Sequence, residues 1–167
     1  MTSARWLLSA AYRSPHLAVA LVADGRILEL RRHLVGSERR ADRSMRAILT
    51  SYARDYAVDA IVVEPKSLTS VAATNTRYPV HLLGSAEATE GLLNRRGSRQ
   101  ELYQYLLKRE PLLRRFVVVL KTGQVTETDP WRTVLLLAVA LAFAADRLTA
   151  ADRSAPHSRT INHNHIV

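Results

Sequence analysis

Two carboxylates in this 167-residue chain stand where their surroundings make an acid conspicuous. Glu64 closes the run Ile61-Val62-Val63 and is followed by Pro65. A short β-branched run bounded by a turn-former reads as a buried strand, and a carboxylate at its end is costly unless something uses it. Asp129 precedes Pro130 and a long apolar stretch, which marks a helix start. Glu127 is a spare acid two residues earlier. Sheets of the α/β type place their sites at the carboxyl ends of strands, so Glu64 is a candidate metal ligand; at Asp129, metal binding and helix capping would compete for the same oxygens. Carboxylates around two cations about 3.5 to 4 Å apart support phosphodiester hydrolysis: one ion helps a water lose its proton and the other steadies the leaving oxygen. Each acid also has a plainer reading. Glu64 reaches solvent past the sheet edge, and Asp129 caps the helix that follows it.

The charge balance points to a polyanionic partner. Lys plus Arg number 24 against 15 Asp plus Glu, a net charge of +9 with His neutral, and most of the excess is Arg. The planar guanidinium fork suits phosphate oxygens, and so basic a balance favours nucleic acid. Arg13, Lys66, Arg95, Arg96, Arg99 and Arg132 are the candidate phosphate contacts. Arg39, Arg40, Arg43 and Arg46 crowd the first half of a predicted helix, where cations oppose the helix dipole; they read as a solvated face. The absence of Cys excludes disulfides, thiolate nucleophiles and Cys-ligated zinc. His163 and His165 lie in a polar tail and make a poor ligand set. There is no phosphate-binding glycine loop, nucleophile elbow or HExxH, and the Lys-Thr-Gly at 121–123 lacks the Ser-x-x-Lys that would give it meaning. Residues 1–14 lack the long apolar region of a secretory signal, and the longest apolar run, 134–145, is shorter than the roughly 17 to 25 residues a bilayer needs. The expectation is a cytoplasmic protein with no membrane partner.

The elements that must position these residues are legible in order. Residues 7–22 read as two strands broken at Ser14-Pro15, and Asp24-Gly25 turns the second into a third strand over 27–34; Asp-Gly between β-prone runs is a strong hairpin signal. Met45, Ile48, Leu49, Tyr52 and Tyr56 recur at helical spacing within 38–56. A buried strand over 60–63 and another over 78–83 follow, with 66–77 as loop or short helix between them. Helices are predicted over 86–94 and from Ser98 to about residue 110. Ser98 and Glu101 form a capping box, and Leu102, Tyr105 and Leu106 are read as the apolar stripe. Residues 116–120, Phe-Val-Val-Val-Leu, read as one more strand without an assigned place. The last helix, from Pro130 to about residue 148, is apolar nearly all round and should be buried. The expectation is one domain over 1–150 and a polar, mobile tail over 151–167.

The order of these pieces resembles the RuvC and YqgF branch of the ribonuclease-H-like superfamily, which includes Holliday-junction resolvases. The resemblance rests on Leu7-Leu8-Ser9-Ala10-Ala11-Tyr12-Arg13-Ser14 followed by Leu17-Ala18-Val19-Ala20-Leu21, on Ile61-Val62-Val63-Glu64, and on Asp129-Pro130-Trp131-Arg132 before a small-apolar run. It implies an α/β domain of ribonuclease-H-like fold: a mixed five-stranded sheet, a β-meander then parallel strands, with helices on both faces. It implies a Mg²⁺- or Mn²⁺-dependent endonuclease on branched or structured DNA, acting as a homodimer, with Glu64 and Asp129 as catalytic metal ligands. The family's first catalytic Asp has its place taken by Ala11, and Arg13 stands where a Gly is usual. Alanine cannot ligate a metal, so the expectation is binding with little or no cleavage. Two explanations stand: a pseudo-nuclease or scaffold domain that keeps nucleic-acid binding alone, or an alanine put in place of an acid on purpose. The survival of two costly carboxylates leans toward the second.

Overall fold

The computed structural model describes residues 5–36, 38–65 and 77–154. Strands β1 (Trp6–Arg13), β2 (His16–Ala23) and β3 (Arg26–Leu34) form the meander. Helix α1 (Glu38–Asp55), strand β4 (Ala60–Val63), strand β5 (Val80–Leu82), helices α2 (Ser85–Leu93) and α3 (Arg99–Arg109), and helix α4 (Pro130–Ser154) follow. The sheet has five strands in the order β3-β2-β1-β4-β5. The meander pairs are antiparallel, and β1–β4 and β4–β5 are parallel, as expected. Asp24 and Gly25 both take positive φ, 50° and 69°. This is the conformation a tight two-residue hairpin requires and the reason Asp-Gly signals one.

Strands β1 and β2 are buried on both faces, which explains their near-continuous apolar sequence. On one face Leu8, Ala10, Leu17, Val19, Leu21, Ile61 and Val63 pack with Ala41, Met45, Leu49 and Ala53 of α1. On the other, Leu7, Ala11, Ala18, Ala20 and Val62 pack with α2, α3 and α4. The small side chains in the middle of this second face let α4 lie close to the strands. Ser9, fully buried, donates its hydroxyl proton to the Ala138 carbonyl and so satisfies a polar group at the centre of the sheet.

Three elements differ from expectation. Helix α4 runs to Ser154 rather than stopping near residue 148, so its last turn takes in the start of the expected tail; residues 155–167 lie outside the described residues, as does all but Arg77 of the predicted loop or short helix at 66–77. The helical stretch Pro130–Ala151 is, by length and composition, apolar enough to cross a membrane, although run 134–145 is too short by itself. Its apolar residues from Val134 to Ala145 are buried in this fold, so the composition answers to a core helix. In α3 the buried positions are Leu102, Tyr103, Leu106 and Leu107, a stripe wider than expected, with Tyr105 half-buried against the same core at its edge. Residues 116–120 do not join the sheet. They form one side of a tight turn with a single bridge, Val119 opposite Val125, closed by Leu120 N–H to the Gln124 carbonyl. Val117 is buried and Phe116 and Val119 pack on the core, while Val118 and Leu120 are exposed. The alternation is that of an extended segment lying on a core with no strand edge to join.

Candidate nucleic-acid interface

The sheet register builds the site. Ala10 lies opposite Val63, so the next pair along brings Glu64 beside Ala11 at the carboxyl ends of two parallel neighbours. Successive side chains alternate faces. Val62 and Ala11 face α4, and Glu64 follows Val62 by two. Arg13 follows Ala11 by two and reaches back over it. Its Nη1 donates to Glu64 Oε2 at 2.7 Å and its Nη2 to Oε1 at 3.2 Å. Nη1 also donates to the Tyr12 carbonyl at 2.7 Å. This is a fork-on-fork pair, the strongest form of carboxylate recognition a single side chain offers. The Glu64 side chain is only 9% exposed and that of Arg13 is 43% exposed. The acid is therefore buried and the guanidinium sits between it and solvent.

Asp129 has an arginine as well. Its Oδ2 lies 3.4 Å from Arg132 Nε, one helical turn on. That pair is loose: Arg132 Nε is buried without a well-aligned hydrogen bond. The guanidinium is held by other means, with Nη1 donating to the Phe116 carbonyl at 3.2 Å and the group lying 4.0 Å from the Trp131 ring centroid. Arg32 of β3 lies 4.3 Å from the same ring. Trp131 thus gathers two cations at the start of α4.

Glu127 is the third acid, and its partners are not visible in the sequence. It accepts a hydrogen bond from Tyr103 Oη at 3.1 Å and lies 3.6 Å from Arg99 Nη1. Burial, reinforced by the Glu127 charge, pushes the Tyr103 hydroxyl up to about 12. Tyr103, Arg13, Arg99 and Thr133 line one cleft of about 260 Å³ between α2, α3 and the start of α4, floored by Val134 and Leu137. The cleft brings Arg13 and Arg99 together from opposite halves of the domain. Arg95 plays a different part, donating to Glu101 Oε1 at 2.7 Å and to the Arg96 carbonyl at 2.9 Å. It thereby braces the Ser98–Glu101 capping box, which is present as predicted. With Ser98 N–H, it holds the Glu101 carboxyl down at about 2. Arg96 is exposed in the same loop. Lys66 lies outside the described residues. Trp131 and Tyr103 are the residues that sequence reasoning missed. An aromatic wedged between Pro130 and Arg132 was a signal for the first, whereas nothing local marked the second.

No protein-family model matches this sequence, and no protein of curated function matches it. Solved structures do. The structure of RuvC from Thermus thermophilus superimposes with a TM-score of 0.63 at 12% identity, over 87% of this chain and 96% of that one. T. thermophilus RuvC in complex with a Holliday-junction substrate gives 0.56 at 12% identity, over 89% and 96%. The chain has the fold of RuvC. At such identity the likeness carries the fold and says nothing of individual side chains.

A ribonuclease-H-like fold implies divalent cations, and the residues present do not fit them. Ala11 offers no donor atom. Both Glu64 oxygens are bonded to Arg13, Asp129 is beside Arg132, and Glu127 is held by Tyr103 and Arg99. Among the described residues no three acids or histidines converge as a metal would need. The arrangement is three carboxylates, each with its own arginine. Such a set can present cationic side chains to a polyanion; it is not a set of converging metal ligands. It also gives a reason for the retention of Glu64 that needs no metal: the acid anchors Arg13.

Proposed function

We propose that this domain binds branched or structured DNA without cutting it, as a non-catalytic relative in shape of RuvC-type resolvases. The observation that carries the reading is the bidentate Arg13–Glu64 pair beside Ala11: a guanidinium takes both oxygens of the acid that the endonuclease reading would give to a metal. The excess of 9 positive charges, Arg13 and Arg99 on one cleft, and the fold shared with a protein solved on a Holliday junction support DNA as the partner. A four-way junction offers two equivalent faces, which favours a homodimer as the binding form. The competing reading is a Mg²⁺- or Mn²⁺-dependent endonuclease with Glu64 and Asp129 catalytic; it is favoured only by the survival of those two acids.

The test is a labelled four-way junction and a duplex of the same sequence, titrated with protein across a salt series, with EDTA and separately with Mg²⁺. The junction should bind more tightly than the duplex, and affinity should fall steeply with salt, with a log–log slope of about −0.9 for each phosphate contacted. No nicked product should form. Equal affinity for both DNAs, or cleavage in Mg²⁺, would remove the proposal.

A further inference from the structure

We infer that Arg13 is the resident cation of this site: its guanidinium holds Glu64 in the position from which a divalent ion would bridge carboxylate to phosphate, so it meets the nucleic-acid phosphate itself and keeps metal out. The phosphate contact rests on the proposed DNA binding; the exclusion of metal does not. Three observations carry it. First, the geometry is that of a bridging cation. Arg13 is bidentate to a carboxylate that is nearly enclosed, while 43% of its own side chain is open to solvent and it forms part of the cleft wall. A two-metal site has the same order, with acid inside, cation in the middle and phosphate outside. Second, the register puts Ala11 directly beneath this pair. An acid at that position would face the guanidinium, and an alanine leaves it room. Third, Arg13 Nη1, which bonds Glu64, also donates to the Tyr12 carbonyl at 2.7 Å, so the fork is tied to the backbone of its own strand as well as to the acid. A planar fork with five donors is suited to bridging two sets of oxygens in this way.

Metal exclusion thereby becomes a property of one side chain, and that can be read without DNA. The probe is Mn²⁺ itself, followed by the loss of its free-ion paramagnetic resonance signal. The variants are Ala11→Asp and Ala11→Asp/Arg13→Gln, in which two carboxylates stand side by side with and without the guanidinium. Ala11→Asp alone should leave Mn²⁺ free at millimolar concentration, and the double variant should take up the ion at least about tenfold more tightly. Equal Mn²⁺ affinity in the two variants would overturn the exclusion. Position 11 is fully buried, so a second pair of proteins keeps that core intact. Wild type and Arg13→Gln are compared on the labelled junction in EDTA and in Mn²⁺ at matched ionic strength. Wild-type affinity should be the same in both; Arg13→Gln should bind about tenfold more weakly in EDTA, with a salt slope smaller by about one. An Arg13→Gln protein that binds as wild type does, or a wild type that needs Mn²⁺, would overturn the phosphate role. If wild type binds no junction in either buffer, the DNA reading fails, and the phosphate role fails with it, while the Mn²⁺ titration still decides whether Arg13 excludes metal.

Discussion

Arg13→Ala, Glu64→Gln and the double variant form a cycle whose outcome follows from the unequal exposure of the two partners. Removing one member of a fully buried ion pair costs about 3 to 5 kcal/mol, because the other is left charged and poorly solvated. An exposed pair contributes about 0 to 1 kcal/mol. Arg13–Glu64 lies between, with side-chain exposures of 43% and 9%. Arg13→Ala leaves the enclosed carboxylate without its fork and should cost roughly 1.5 to 2.5 kcal/mol. Glu64→Gln leaves a guanidinium that water already reaches, keeps the shape and one acceptor oxygen, and should cost only about 0.5 to 1 kcal/mol. The double variant should cost no more than Arg13→Ala alone, giving a coupling of about 1 kcal/mol. Urea unfolding at neutral pH reads all four corners. For a domain of this size each kcal/mol moves the melting temperature by about 2 to 4 °C, so Arg13→Ala is also visible in a thermal scan. Equal costs for the two single changes, or costs that simply add, would refute the claim that this pair is a buried acid anchored by a half-exposed cation.

Other consequences are smaller and separable. Glu101 has its carboxyl depressed from 4.5 to about 2 by Arg95 and the Ser98 N–H. A lowered folded pKa stabilises above the unfolded value, and that contribution is lost as pH falls from about 4.5 toward 2. The start of α3 should therefore loosen in that window, and Glu101→Gln should flatten the acid dependence of helicity measured by circular dichroism. Tyr103→Phe removes the hydroxyl donated to Glu127 and should cost on the order of 1 kcal/mol in urea unfolding. It should also delete one tyrosine ionisation near pH 12 from the absorbance titration of the folded protein. Leu136→Ala, at a fully buried position of α4, should cost about 2 to 5 kcal/mol; a smaller loss would mean that α4 is not the centre of the core.

Much of the fold was legible because local chemistry and burial agreed. The Asp24-Gly25 turn, the Ser98–Glu101 box and the Asp129-Pro130 helix start each act within a few residues, and each marks an element that forms. The apolar periods of β1, β2 and α1 match the faces they bury. Residues 116–120 misled because a β-branched run reports that a segment is extended and half covered, and does not say whether a strand edge is available beside it. Tyr103 was missed for a related reason: α3 is packed along Leu102, Tyr103, Leu106 and Leu107 with Tyr105 at the edge, and the width of a buried stripe is invisible without the neighbour. The site itself was half legible. Glu64, Asp129 and the arginines all stand out in the sequence, but as two groups, acids for metal and bases for phosphate. Their pairing could not be read, since Arg13 and Glu64 are 51 residues apart and meet only through the β1–β4 register.

What stands against Glu64 is the central question, and crystals grown in Mn²⁺ and measured at the manganese edge answer it most directly. The Arg13 guanidinium is predicted on both Glu64 oxygens, with no anomalous peak beside them. A peak within ligand distance of Glu64, with Arg13 turned away, would contradict that prediction.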